Sequence, residues 1–511
     1  MRKTRSSNTS LPRGTATWLG RAALLSSVAA LWACSPVVGR DYHSPAVRTP
    51  DHYAETYAAG TVLESWWLSF HDDRLTALVD HGLAANLSVR RAFVHLAEVR
   101  AVLGVAESDG LPTVTAGAGV MREGLSQHTY IPFPIEPFTD YQLGFDASWE
   151  IDLWGAVARE KQGALSDVQA QVWSIAAVQN TVSAEIVRTY YDWSVAAQRL
   201  ALARQLVASY RGSLDIATHR LGAGLVTAQS VNALISLVAH ADAALPPLLN
   251  QMAADRHALE VLLAVAPDSL GEDLAPATTL PALPPALRLG IPADLLRRRP
   301  DVQVAERAVA SATAREGVAE ADLYPRLSIS GNFGLESIDR DVLFTRSALS
   351  WGIGPTIGWN LLDWGRTHHE IVAADRRIDE AIIDYHQTVL TAQQDVADAL
   401  WAIQTDTLAI TALSVAQNAD ADTARIERAR STSGLSDVPA VNERQQNLLT
   451  INDSLLQAEG LRLTHLVALA KALGGGWAPA ERQAASTTPP PAPAITSDTA
   501  SASPSDTKAN P

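Results

Sequence analysis

The chain has 511 residues, an apolar share of 47% and a charged share of 19%, enough for several packed domains. Its formal charge is −15, and because the first 33 residues carry five basic groups and no acid, the rest stands at −20. That balance excludes nucleic-acid binding as the main role, which needs a basic surface, and the single cysteine, Cys34, excludes an intramolecular disulfide or a multi-thiolate metal site.

Residues 1–33 predict a secretory signal: a basic, polar start, then a mostly apolar run from Ala22 to Ala33 that is too short to span a bilayer. Leu31-Trp32-Ala33-Cys34 resembles the bacterial lipobox, in which the cysteine is acylated and becomes the first mature residue. Each buried CH₂ of an acyl chain adds roughly 0.8 kcal/mol of anchoring. By the same resemblance, Ser35 in place of Asp points to the outer membrane. Residues 34–74 form the anchored N-terminal segment.

The remainder divides into two copies of one unit, 75–268 and 294–476, joined by a Pro-rich linker at 269–293. Gly104 to Pro112 matches Gly317 to Pro325 at an offset of 213. Trp149 to Gly155 matches Trp359 to Gly365, and Gly224, Leu225 and Asn232 match Gly434, Leu435 and Asn442, at an offset of 210. The period is too long for a solenoid, so this is a duplicated domain. Each copy predicts helix, strand, loop, strand, very long helix, break, helix.

The strands show period two. Residues 113–120 alternate, and in 141–149 Tyr141, Leu143 and Phe145 oppose Gln142, Gly144 and Asp146. In the second copy Leu327, Ile329 and Phe333 oppose Ser328, Ser330 and Asn332, and Trp351, Ile353 and Ile357 oppose Gly352, Gly354, Thr356 and Gly358. A soluble sandwich is the alternative for any one such strand. Four of them, each about 10 residues with small polar residues on the second face, fit a membrane barrel. No run of about 20 apolar residues predicts a transmembrane helix. From Arg366 to Ser433 there is neither Gly nor Pro, 68 residues that would extend roughly 100 Å as one helix. Ile371, Ile378, Tyr385, Ala392 and Ala399 recur at spacing seven, as do Val168, Ile175, Val182 and Thr189, which indicates coiled-coil packing. The tail, 477–511, is rich in Pro, Ala, Ser and Thr and is expected to be disordered.

Four strands cannot close a barrel, and an open sheet edge cannot stand in lipid. Three chains would supply twelve, an even number in the range of such barrels. The loops at about 123–140 and 336–349 would then face outside, and the helices would continue as a second, helical barrel. The expected fold class is mainly α with membrane β.

Gly290-Ile291-Pro292-Ala293-Asp294-Leu295-Leu296-Arg297-Arg298-Arg299-Pro300-Asp301-Val302 closely resembles a signature of the TolC-like outer membrane efflux proteins, in the lipoprotein branch that serves RND-type pumps. Trp66-Trp67 with Phe70, Asp72 and Leu75, the lipobox followed by Val38-Gly39 and Asp41-Tyr42, and Trp149 to Gly155 look like the same branch. The resemblance implies a homotrimer with a twelve-stranded barrel, an α-helical barrel and an equatorial collar. It also implies a periplasmic adaptor and an inner-membrane RND transporter as partners. It implies an acidic periplasmic gate a few residues past a Gly at a helix turn. Carried over, Gly434 marks the turn and Glu443 falls near the gate aspartate. Asp437 lies nearby, and Pro439 stands where a bulky apolar constriction residue is common. Three carboxylates around one axis would favour cationic cargo.

His368-His369-Glu370 is not expected to bind metal, because adjacent histidines on a helix point about 100° apart. Arg297 to Arg299 predict salt links or capping. No catalytic triad or phosphate loop is evident, and neither enzymatic activity nor a cofactor is expected. The alternatives are a channel of the same architecture serving protein or peptide secretion, and a periplasmic adaptor lipoprotein.

Overall fold

The computed structural model describes residues 37–46, 65–124, 136–270, 276–277, 280–281 and 298–476. The predicted signal, Cys34, most of the linker and the tail lie outside the described residues. A 3-10 turn, Trp66–Phe70, leads into α1 (Asp73–Ala85) and α2 (Leu87–Ser108). Strands β1 (Thr113–Glu123) and β2 (Phe138–Ile151) follow, then α3 (Ala156–Gly222), α4 (Ala228–Ala243) and α5 (Leu245–Leu262). The order then recurs: α6 (Pro300–Ala321), β3 (Arg326–Ser337), β4 (Leu349–Gly358), α7 (Arg366–Thr432) and α8 (Val438–Ala472). The strands run further than the alternation alone suggested, because each neighbour's backbone extends the ladder past the apolar pattern. β1 pairs with β2 out to Glu123, opposite Phe138.

All four strands form one antiparallel sheet in the order β1-β2-β3-β4. The duplication is carried into its register. Thr113 faces Ser148 in the first hairpin; advancing 213 along one strand and 210 along the other gives Arg326 facing Gly358, the pair observed in the second.

α3 and α7 are each unbroken over 67 residues. α7 starts after Gly365, φ 86, where the Asp363 carboxylate accepts from the Gly365 and Thr367 amides at 2.9 Å. Gly434, φ 73, lies two residues past its end and Gly224, φ 74, two past that of α3, both in the left-handed conformation that suits glycine past a helix end. The predicted seams are buried at Ile378, Tyr385, Ala392 and Ala399 on α7, and at Ile175, Val182 and Thr189 on α3. Ile371 and Val168 are half-buried.

The helices lie side by side in an order that matches the sheet. Nearer the strands α2 packs on α3, α3 on α6 and α6 on α7; further away α5 and α4 pack on α3, α3 on α8 and α8 on α7. The layer therefore has two open edges, α2 with α4–α5 on one side and α7 on the other. The sequence predicts no transmembrane helix, yet two segments have the length and mean composition of one. Stretches in 228–262 and in α7 reach that length and composition while only 11% and 17% buried. Both belong to the edge helices, and on α7 Ile383, Leu390, Trp401, Leu408 and Val415 stand exposed in one stripe.

Two polar side chains join short helices end to end. Asn86 caps α2, accepting from the Ser88 and Val89 amides, and donates to the Leu262 carbonyl at the end of α5 at 2.8 Å. Arg299, just before α6, donates to the Ala472 carbonyl at the end of α8 at 3.3 Å. Offsets of 213 and 210 relate these pairs, so they are one joint in two copies. Around the joints Trp66, Trp67, Phe70, Leu75, Tyr190, Tyr191, Leu259 and Leu469 form the main core. The Phe70 and Tyr191 rings meet edge-on at 5.5 Å.

Residues 37–46 form a strap across α3, α6 and α7. The Val38 amide donates to the Trp154 carbonyl at 3.0 Å. Arg159 donates to the Val38 and Gly39 carbonyls at 2.9 Å each, and the Tyr42 hydroxyl donates to Glu306 at 2.7 Å. Gly39, φ 85, lies so close to Gly317 that a Cβ on it would sit 2.5 Å from the Gly317 Cα.

Candidate functional site

In an antiparallel sheet, directly opposed residues share a face. The register sets Ala116 against Phe145, Phe145 against Phe333 and Phe333 against Trp351. It also sets Ile329 against Trp149 and Leu327 against Ile357. All nine expected lipid-facing residues therefore lie on one face. Phe145, Phe333, Trp351, Ile353 and Ile357 are exposed by 56–77% and Leu143 by 42%. Tyr141, Leu327 and Ile329 are half-buried. The other face aligns Thr115, Asp146, Asn332 and Gly352, and encloses a concavity of 680 Å³ lined mainly by Thr, Ser, Gly, Asp146 and Asn332. A sheet that is polar on its concave side and apolar on its convex side is built to curve around water and stand in lipid.

Indoles gather where the strands meet the helices. Trp149 Nε1 donates to the Gly110 carbonyl and Trp359 Nε1 to the Leu323 carbonyl, both at 3.0 Å. Trp154 stacks on Tyr324, centroids 4.7 Å apart, and donates to the Pro325 carbonyl at 2.8 Å. Indoles at such a level suit the headgroup region, where one end of the ring is apolar and the other wet.

At the far end, the structure separates the gate candidates. Asp437 caps α8, accepting from the Ala440 amide at 3.3 Å, and its Oδ2 pairs with Arg220 Nη1 at 3.1 Å. Pro439 is the second residue of α8, where its missing N–H leaves no bond unmade. Glu443 is exposed on the next turn, and no salt bridge to it occurs among the described residues. The two carboxylates stand six positions apart, which puts them on different faces, and of the two only Glu443 is without a salt-bridge partner among the described residues. Arg220 was not singled out from the sequence. Its signal was there: Arg220 and Arg430 lie 210 apart, each in the last turn of a long helix.

Arg299 makes the salt links and caps expected of the arginine run. Besides the Ala472 carbonyl it reaches the Ala392 carbonyl at 3.4 Å, Asp395 at 2.9 Å, and Asp301 bidentately at 3.0 and 2.6 Å. Asn86 was missed, although the 213 offset pairs it with Arg299. On α5 a buried Asp255 has one oxygen bonded to Gln251 at 2.8 Å and Oδ2 without a partner. Burial first, and then the charge of Asp192, push its carboxyl up to about 6.

The sheet, its two faces and the long coiled helices define a membrane-spanning channel subunit. The model of the outer membrane efflux protein family matches residues 78–265 and 291–475. The chain is 30% identical to outer membrane protein OprJ of Pseudomonas aeruginosa over 452 residues, 88% of this chain and 94% of that protein. It is 28% identical to the toluene efflux pump outer membrane protein TtgI of Pseudomonas putida over 415 residues, 80% of this chain and 86% of that one. The solved outer-membrane channel OprN superposes with a TM-score of 0.79 at 30% identity, covering 87% of this chain and all of OprN. The chain belongs to the outer membrane efflux protein family, and its fold is that of the TolC-like channels. It is an outer membrane efflux channel protein.

Proposed function

We propose that three copies form a lipid-anchored conduit, tethered through acylated Cys34, that carries small molecules outward from a periplasmic adaptor and an inner-membrane RND transporter. The observation that carries the assembly is the pair of unpaired edges. β1 and β4 each have one free side, and the exposed apolar stretches of the helix layer lie on the same two flanks. An unpaired strand edge in lipid costs several kcal/mol per orphaned backbone group, so edge must meet edge. Twelve strands close a barrel, and α7 of each copy then packs on α2 and α4–α5 of the next. The protein does no chemistry; it is a passive tube. Solvent-like apolar compounds, as in the name of the toluene efflux relative, are one cargo class such a tube would serve.

Glu443 is the gate residue in this reading, three carboxylates around the axis at the periplasmic end, with Asp437 holding the turn through Arg220. The test combines mass and current. Native mass spectrometry of the detergent-extracted full-length protein should give a trimer; a monomer refutes the conduit. In planar bilayers Glu443→Ala should raise conductance or weaken cation preference, and unchanged currents refute the gate. Cys34→Ser should abolish labelling by radioactive palmitate.

A further inference from the structure

The duplication that relates the two hairpins also fixes a contact the single chain cannot make. In the first copy Trp154, just beyond β2, reaches across to the start of the neighbouring strand β3, where it stacks on Tyr324 and donates to the Pro325 carbonyl. Its counterpart at offset 210 is Trp364, just beyond β4. The counterparts of Tyr324 and Pro325 at offset 213 are Leu111 and Pro112, just before β1. Within one chain β4 and β1 are the opposite edges of the sheet. Trp364 is 88% exposed and Leu111 63% exposed. Trp364 also takes φ 58, one of four positive-φ non-glycine residues among those described, whereas Trp154 does not. Large side chains hold that conformation only where their surroundings over-determine it, and here the chain itself supplies almost nothing around the indole.

We infer that Trp364 of each copy closes on Leu111 and Pro112 of the next, its indole packing over the leucine and donating to the proline carbonyl, and that this clasp sets the register between subunits. The inference rests on the shared barrel proposed above. The register follows from the same two offsets, which already convert the β1–β2 pairing into the β3–β4 pairing. Applied to the β2–β3 pairing, in which Ala147 faces Gly331 and Phe145 faces Phe333, they set Ile357 of one copy against Ala118 of the next and Pro355 against Val120. Apolar residues then meet apolar residues, and Thr356 meets Gly119 on the polar face. A slip by one residue would turn a whole strand inside out.

Cysteine pairs in full-length, lipid-anchored protein test this. Ile357→Cys with Ala118→Cys, or Thr356→Cys with Gly119→Cys, should yield disulfide-linked dimers and trimers on mild oxidation; two pairs are used because adjacent rungs differ in their spacing. The slipped pairs, Ile357→Cys with Ala116→Cys or with Val120→Cys, should not. Cross-linking of a slipped pair in place of the stated ones overturns the register. Trp364→Ala should lower the temperature at which trimers dissociate in SDS gels, and a wild-type temperature overturns the clasp. If every variant and the parent run as monomers by native mass spectrometry, the shared barrel itself fails, an outcome distinct from a wrong register.

Discussion

Replacing Arg299 with alanine removes one guanidinium from five acceptor contacts at the α8–α6 joint: two carbonyls, Asp395 and both oxygens of Asp301. Arg299 is only 8% exposed, while the Asp301 and Asp395 side chains are 43% and 46% exposed. Breaking a buried charged network costs about 3–5 kcal/mol because the partners are left unpaired. Water reaching both carboxylates brings the expected loss to the low end, about 3 kcal/mol. The equivalent Asn86 makes one neutral cross-helix bond and caps two amides, so Asn86→Ala should cost about 1–2 kcal/mol. Lysine at 299 keeps the charge but cannot fork to Asp301, and should fall between them. The assay is tryptophan-fluorescence melting of the detergent-purified protein at fixed concentration. Each kcal/mol shifts a chain of this size by about 1–2 °C, so the order wild type, Asn86→Ala, Arg299→Lys, Arg299→Ala should span about 3–6 °C. A midpoint for Arg299→Ala within 1 °C of wild type would refute the view that this residue joins the helices.

Asp255 gives a pH dependence. Its carboxyl sits near 6 in the fold against about 3.9 in an unfolded chain, so between those values the folded state binds more protons. Stability is therefore highest below the lower value and falls as pH rises through about 6. Asp255→Asn keeps an acceptor for Gln251, should stabilise the protein at pH 7 by about 1–2 kcal/mol, and should flatten that slope; a variant melting below wild type at pH 7 contradicts the assignment. Gly39→Ala puts a Cβ against the Gly317 backbone, so the strap should lift and residues 37–46 should become sensitive to limited proteolysis, read by mass spectrometry. An unchanged cleavage pattern would show that the strap is held in some other way.

Local patterns made much of the fold legible. The two-residue alternation of Tyr141 to Trp149 and the spacing-seven series from Ile378 to Ala399 are direct consequences of strand and helix geometry, and both reappear as a one-sided sheet and a buried seam. The 213 and 210 offsets told that the halves were copies. They could not tell which residues the copies bring together, because Asn86 and Leu262 are separated by 176 positions. The two gate candidates show the same divide. The sequence placed Asp437 and Glu443 near one turn, but only the packing of α3 beside α8 brings Arg220 to Asp437 and leaves Glu443 without such a partner.

What the residues determined by themselves is everything set by neighbours within a turn or along a strand: periodicity, caps, turns, and the repetition of the unit. What the tertiary structure alone decided is which distant groups share a charge or a hydrogen bond, and which flanks stay open. Those depend on how elements pack across hundreds of residues, where a side chain's partner is chosen by position in space.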